Sequence, residues 1–343
     1  MPQADTLTRL ERLQQWASAR HDHSGQRSSL SLAAGDASFR RYYRLYLEGN
    51  TRMLMDAPPP QEDIRPFVTI AHAWRQVGLP VPEVYASDAE AGFVELEDLG
   101  DAPLHLALDN ADDRTTNAHF ERALALIDTL QNRADPSILP PYDRNALARE
   151  LDLFPEWCLG QWLNMAPPPG WDELRLALMD TALTQPVVAV HRDYDAMNLM
   201  EHAGELYLID FQDALAGPIS YDLISLLHGR YRRFSTTRRA HWIEAFRQRA
   251  IDDRRLDAAC DDATFLAQVN AMAAQRSLKV LGIFCRLTLR DTREGYLARL
   301  PHFLDHLEDS LAGLNGHNPF RHWVSRQLRP ALMQKLTAAG VSM

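Results

Sequence analysis

His191-Arg192-Asp193-Tyr194-Asp195-Ala196-Met197-Asn198 follows a short apolar run, Val187-Val188-Ala189-Val190. Twelve residues after Asn198, a second apolar run ends in Ile209-Asp210-Phe211. A carboxylate, a carboxamide and a second carboxylate in this order suit phosphoryl transfer. That chemistry needs an acceptor for the proton of the attacking hydroxyl, and hard oxygen ligands for Mg²⁺ beside the transferred phosphate. Asp193 is the candidate proton acceptor, and Asn198 and Asp210 are the candidate metal ligands. The plainer reading is a polar turn between two strands with Asp210 as a cap. The agreement of motif and strand context outweighs it.

The elements that must position these residues fall into two groups. Residues 5 to 19 have the apolar spacing of an amphipathic helix, with Leu7, Leu10, Leu13 and Trp16 along one face. Ser29–Ala33, Arg41–Glu48 and Thr51–Asp56 read as strands, the last two joined at the Gly49-Asn50 turn. Pro66 to Val77 suits a helix, and Val81–Tyr85 and Gly92–Glu97 suit short strands. After Asp98-Leu99-Gly100-Asp101 the pattern is largely helical, apart from the apolar runs at 187–190 and 206–209. This is an α+β chain with a small β-rich N-lobe over 1–98 and a larger helical C-lobe over 99–343.

Composition narrows the classes. Lys+Arg number 36 against 46 Asp+Glu, a net charge of −10, with no dense basic block. Nonspecific nucleic-acid binding, which rests on phosphate neutralisation, is a poor fit. No apolar run approaches the ~20 residues that span a bilayer, and the segment from Met1 to Arg20 lacks the unbroken apolar core of a secretory signal. Three widely spaced cysteines, Cys158, Cys260 and Cys285, suit free thiols in a reducing cytoplasm. Only Lys279 and Lys335 are lysines.

The 191–198 segment matches the protein-kinase catalytic-loop pattern H-R-D-L-x-x-x-N with Tyr194 in place of Leu. Only twelve residues separate Asp210 from Asp222, and no Ala-Pro-Glu follows, so there is too little chain for a peptide platform. A small-molecule acceptor fits better. Taken with Gly217-Pro218 and Tyr221-Asp222-Leu223, the chain resembles the aminoglycoside phosphotransferase/choline kinase superfamily. The segments 35–44, 54–59, 153–157 and 278–284 are similar to one branch, the bacterial N-acetylmuramate/N-acetylglucosamine anomeric kinases of peptidoglycan recycling.

The resemblance implies a bilobal protein-kinase-like fold with ATP between the lobes, Mg²⁺ as the metal, and an amino sugar phosphorylated on its anomeric hydroxyl. It puts Gly35, Asp36, Ala37 and Ser38 on a nucleotide-covering turn, although a plain hairpin turn reads equally well there. It puts Glu95 and Glu97 on the hinge that would hold adenine. Other members of the superfamily would make the protein an aminoglycoside or other small-molecule phosphotransferase. Loss of activity would make it a nucleotide-binding pseudokinase. Kinases use a lysine on the third strand against the α- and β-phosphates, yet no lysine precedes position 279 and Met53 or Met55 occupies that strand. Arg40, Arg41 or Arg44 is expected to supply the charge, unless the backbone of the 35–38 turn suffices.

For the acceptor, Arg276, Lys279, Arg286 and Arg290 recur at helical spacing. They read either as a grip on the lactyl carboxylate of N-acetylmuramate or as a solvated face paired to acids such as Asp291 and Glu294. Asp195 adds a carboxylate near the base, and Asp213 reads as a contact to a substrate hydroxyl or a second metal, or equally as a structural hydrogen bond to the loop. Asp222 is expected to brace the catalytic loop.

Overall fold

The structure, a computed structural model, describes residues 8–21, 29–35 and 39–341. The chain forms two compact units, one of 1–103 with 200–213 and the other of 104–199 with 214–343. Residues 200–213, assigned from the sequence to the helical lobe, pack with the first unit.

The first unit contains α1 (Arg9–His21), β1 (Ser29–Gly35), β2 (Arg41–Leu47), β3 (Asn50–Asp56), α2 (Arg65–Gln76), β4 (Val84–Asp88) and β5 (Phe93–Glu97). The strands make one antiparallel sheet in the order β1-β2-β3-β5-β4. Because side chains alternate along a strand, Tyr43, Leu45, Leu54 and Phe93 share one face. There they close a core with Leu13 and Ala17 of α1, each large side chain contributing about 1.5–3 kcal/mol by burial. Met53 lies opposite Arg44 on β2 and Leu96 on β5, so these three residues share the other face. β4 begins three residues later than the apolar pattern suggests. Pro80 and Pro82 flank Val81 and leave no continuous row of donors for a ladder.

β7 (Leu199–His202) pairs with β8 (Glu205–Leu208), and most of this hairpin belongs to the first unit. Leu208 N donates to Pro80 O at 2.8 Å and Glu201 N donates to Ala102 O at 2.8 Å.

The second unit is helical around one two-stranded pair, β6 (Val187–Val190) with β9 (Leu215–Pro218). Its helices are α3 (Leu104–Leu108), α4 (Asp113–Arg133), α5 (Arg144–Leu153), α6 (Trp171–Leu183), α7 (Tyr221–Leu227), α8 (Thr236–Asp252), α9 (Asp262–Leu289), α10 (Leu300–Ala312), α11 (Asn318–Trp323) and α12 (Arg329–Ala338). Side-chain caps from Asp112, Asp143, Ser235 and Asp261 start four of them, each worth about 1 kcal/mol. α5 widens into a π-helical stretch, Phe154–Leu163, that packs on α9. α9 is buried continuously from Ala271 to Gly282. A Cβ on Gly282 would lie 2.4 Å from Leu153 O, so only glycine allows this approach of the two backbones.

Candidate active site

The segment 191–198 joins β6 to β7 through a short 3₁₀ turn, Ala196–Asn198. Its first two amides are held by one carboxylate of α7: Asp222 accepts from His191 N at 2.7 Å and from Arg192 N at 3.0 Å. Burial pushes the Asp222 carboxyl up to about 6, against the opposing pull of His191 and the two N–H donors. The expected bracing role of Asp222 has this geometry. Arg192 adopts φ +76°, a strained backbone for a side-chain-bearing residue. The strain is held by its guanidinium, whose Nη2 lies 2.7 Å from Glu150 Oε1. Tyr194, the departure from Leu, is fully buried and donates its hydroxyl to Ala123 O at 2.7 Å.

Glu150 is the hub below this loop. It receives Arg192, Lys279 Nζ at 2.8 Å, Gln275 Nε2 at 3.1 Å and the Tyr142 hydroxyl. Burial alone would raise its pKa, but Lys279 and Arg192 reverse that and hold it at about 2. In protein kinases an arginine cluster is commonly satisfied by an added phosphate that orders the activation loop. Here Arg192 has a permanent internal anion.

Above this base, Asp193 presents a side chain 43% exposed, while Asn198 is buried and donates Nδ2 to Asp193 O at 2.9 Å. That bond leaves the Asn198 amide oxygen as a hard donor atom. Asp195 is 1% exposed and caps the 3₁₀ turn through Met197 N. It also accepts from Arg230 N at 3.2 Å. The structure therefore turns Asp195 into the protein rather than outward as an acceptor contact. Arg230, absent from the sequence expectations, stands 3.5 Å from Asp193 Oδ1.

The first unit carries the other candidates. Asp210 has φ +63° and accepts from Gln212 Nε2 at 2.7 Å. The next residue, Phe211, is fully buried. Its ring stacks on Phe67 at 4.8 Å and lies 5.3 Å from Trp74, which fixes the segment to α2. Arg40 Nη1 lies 3.8 Å from Asp210 Oδ1, and Arg40 also binds Glu62 through Nε at 3.1 Å and Nη2 at 3.0 Å. Arg44 is already committed to two acids, Asp98 at 2.6 Å and Asp101 at 2.8 Å. Of the three arginines expected to replace the lysine, Arg40 is the one beside Asp210.

Several expected positions need correction or relocation. Gly35 ends β1, and Asp36, Ala37 and Ser38 lie outside the described residues. Glu95, expected at a hinge, is a strand residue. It sits inside β5 with ladders on both sides, 2% exposed, and its carboxylate faces His21 at 2.9 Å and Arg20 at 3.3 Å. Glu97 ends the strand and accepts from Glu83 N at 3.1 Å. Asp213 is exposed in the same unit as Asp210. The cation stripe of α9 is not one solvated face. Arg276 is buried against His228 O, Lys279 serves Glu150 and Tyr221, Arg286 is half-buried, and Arg290 pairs with Asp291 at 2.7 Å.

The sequence reading missed Glu62, Glu150 and Arg230. Glu62 had a signal, an acid just before the start of α2 in Gln61-Glu62-Asp63. Glu150 and Arg230 had none, because their partners are 42 and 35 residues away. Among the described residues, no cluster of three or more His, Cys, Asp or Glu side chains forms a metal site, and no helix is long and apolar enough to cross a membrane.

The braced Asp193 loop in one unit and the Ile-Asp-Phe segment in the other are the two parts of a kinase-like phosphotransferase signature. Residues 29–259 match the model of the phosphotransferase enzyme family, and the chain belongs to that family. It is 38% identical to an N-acetylmuramate/N-acetylglucosamine kinase of Pseudomonas aeruginosa, over 83% of this chain and 84% of that one. It is 37% identical to the protein of the same name from Pseudomonas putida, over 82% and 83%. The fold is similar to that of an ADP-bound aminoglycoside phosphotransferase, with a TM-score of 0.58 at 11% identity, over 87% of this chain and 98% of that one.

Proposed function

We propose that the chain is an ATP-dependent sugar kinase that phosphorylates the anomeric hydroxyl of N-acetylmuramate or N-acetylglucosamine, in cytoplasmic recycling of cell-wall sugars. The observation that carries this reading is the likeness to the two Pseudomonas kinases, which runs over more than four-fifths of each chain and includes the whole 191–213 region.

In this reading the Asp193 carboxylate accepts the proton of the anomeric hydroxyl as its oxygen attacks the γ-phosphorus. The new O–P bond forms, the bond to the β-phosphate oxygen breaks, and ADP leaves. An anomeric hydroxyl is more acidic than an ordinary alcohol, so a carboxylate suffices as base. The Asn198 amide oxygen and the Asp210 carboxylate are hard oxygen donors of the kind Mg²⁺ prefers, and they would hold it. Bound there, the ion would offset the negative charge of the phosphates. Arg40, clamped by Glu62, takes the work of the missing lysine. It is a fixed cation for the nucleotide phosphates on the side of the sheet that carries no lysine.

The test is ADP release from ATP and Mg²⁺ over a panel of amino sugars, choline-like alcohols and aminoglycosides, followed by ³¹P NMR of the product. N-Acetylated amino sugars are expected to give a 1-phosphate. A phosphate on C6, or turnover of aminoglycosides alone, would overturn the proposal. Asp193→Asn is expected to lower kcat by about 10³-fold or more while ATP binding persists.

A further inference from the structure

His228, Gly229 and Arg230 form the turn that follows α7, and its backbone is pinned at each residue. His228 O accepts from Arg276 Nη1 at 3.3 Å, Gly229 O faces His302 Nε2 at 2.8 Å, and Arg230 N donates to Asp195 Oδ2 at 3.2 Å. A Cβ on Gly229 would lie 3.2 Å from Leu226 O and 3.3 Å from Asp195 Oδ2. Glycine therefore lets the buried carboxylate come up against the turn. The His302 ring is held in its own right, with His306 Nε2 at 3.1 Å, and His306 stacks on His228 at 4.1 Å. Arg239 joins this cluster to Asp309 through bonds of 2.8 Å to His228 Nε2 and 2.7 Å to Asp309.

The result is a guanidinium held at two places. Arg230 Nε lies 3.4 Å from Asp195 Oδ2, and Nη2 lies 3.5 Å from Asp193 Oδ1. The carboxylate on one side is 1% exposed and the one on the other is 43% exposed. Asp195 thus anchors the cation from inside, and the free end of the fork stands against the exposed carboxylate. Without a cation there, two acids two residues apart on one loop would repel each other.

We propose that Arg230 is a positioning residue for Asp193. It holds Oδ1 and turns the other oxygen toward the acceptor hydroxyl, and Asp195 sets where Arg230 stands. The inference rests on the reading of Asp193 as proton acceptor. It assigns Asp195 a purpose other than substrate contact, and it makes the 228–230 turn part of the catalytic apparatus.

The experiment is steady-state kinetics of the full chain with ATP and either N-acetylglucosamine or N-acetylmuramate, with circular-dichroism melting as the folding control. Arg230→Ala is expected to lower kcat by about 10–100-fold for both sugars, with KM for ATP within about threefold. Arg230→Lys should recover part of the loss, and millimolar guanidinium added to Arg230→Ala should do the same. Asp195→Asn should cost about tenfold alone and add nothing in the Arg230→Ala background, as expected of residues acting in series. If Arg230→Ala does not fold, Arg230→Lys and Asp195→Asn carry the test on their own kcat values. A kcat within about threefold of wild type, or losses that multiply in the double variant, would overturn the inference. So would a loss confined to KM for the carboxylate-bearing sugar, because Arg230 would then touch the acceptor instead of the base. Asp193→Asn separates the two levels. If that variant stays active, the base assignment fails. If it is inactive while Arg230→Ala is normal, only the role of Arg230 fails.

Discussion

The two segments that carry the candidate acids, Asp193 and Asp210, are built differently. The loop 191–198 is fastened from below by buried charge: Asp222 on two amides, Glu150 on Arg192 and Ala123 O on Tyr194. The segment 208–213 is fastened by an apolar anchor, the ring of Phe211 between Phe67 and Trp74. Its acid, Asp210, meets Gln212 at 2.7 Å and Arg40 at 3.8 Å. Both segments place a positive φ at or beside the acid, at Arg192 and at Asp210, and such backbone strain persists only where the surroundings over-determine it. The proposed roles give that difference a purpose. As a base, Asp193 must be aimed before substrate arrives, and directional bonds hold its loop. Asp210 is set in place by the ring beside it, whose packing fixes the backbone that carries the carboxylate.

The largest expected effect breaks the first kind of fastening. Glu150→Ala leaves the half-buried Arg192 and the buried Lys279 without their shared anion, and removing one partner of such a group costs about 3–5 kcal/mol. Thermal and urea unfolding should show a loss of that order, together with a collapse of kcat as the positive-φ backbone at Arg192 relaxes. The same residue predicts a pH signature. Its folded pKa, about 2, lies below the ordinary glutamate value near 4.3. The stability it contributes is therefore full above about pH 4.5 and is lost as pH falls toward 2. Asp222 works in the opposite sense. Its folded pKa is raised to about 6, so this group favours the folded state more as pH falls from about 6 to 4. In Glu150→Gln the wild-type decline in melting temperature between pH 4.5 and 2 should be visibly shallower. An unchanged slope would remove Glu150 from the explanation.

This contrast also marks what could be read in the sequence. The fold class and the five strands of the first unit were legible, and Asp193, Asn198 and Asp210 could be singled out as candidates, because alternation, glycine turns and the His-x-Asp-x4-Asn spacing are local patterns. β7 and β9 were not anticipated. Each is four residues long, and their partners are chosen by tertiary pairing rather than by composition. The α9 stripe misled for a related reason. Helical spacing puts Arg276, Lys279 and Arg286 near one another, but whether a stripe meets water or a buried acid depends on what packs over it. Glu150 sits 125 residues before Gln275 and leaves no trace near α9. Glu95 lies in the strand that alternation marks over 92–97, and its carboxylate faces α1, a partner 74 residues away that the sequence could not indicate.

A smaller effect separates positioning from stability within the loop. In Asp222→Asn the amide oxygen still accepts one of the two N–H groups, but the amide nitrogen meets the other and leaves a buried donor unpaired, at about 1–3 kcal/mol. Removing a carboxylate that burial has already disfavoured returns part of that cost. Melting should therefore shift by only a few degrees, while kcat falls about tenfold because His191 and Arg192 no longer share one rigid acceptor. If kcat followed the small change in melting temperature, Asp222 would be a fold residue and nothing more.

A change with a smaller kinetic effect probes the 208–213 segment. Arg40→Met removes the cation beside Asp210 and leaves the Phe211 anchor, but it strips the largely buried Glu62 carboxylate of its partner, so the first unit should lose about 1–3 kcal/mol. A charge-assisted bond to a phosphate oxygen is worth about 1.5–3 kcal/mol. Because Mg²⁺ is expected to neutralise part of the same charge, the loss should sit at the low end, as a roughly tenfold rise in KM for ATP. Glu62→Gln releases Arg40 without removing it and should raise KM by about threefold, and the double variant should look like Arg40→Met alone. Arg44→Met is the counter-test. Its guanidinium is bound by Asp98 and Asp101, so it should cost stability through those two acids and leave KM for ATP within about twofold. Equal KM effects from Arg40 and Arg44 would mean that the nucleotide draws on the general positive charge of the sheet, and that no single side chain has taken the place of the lysine.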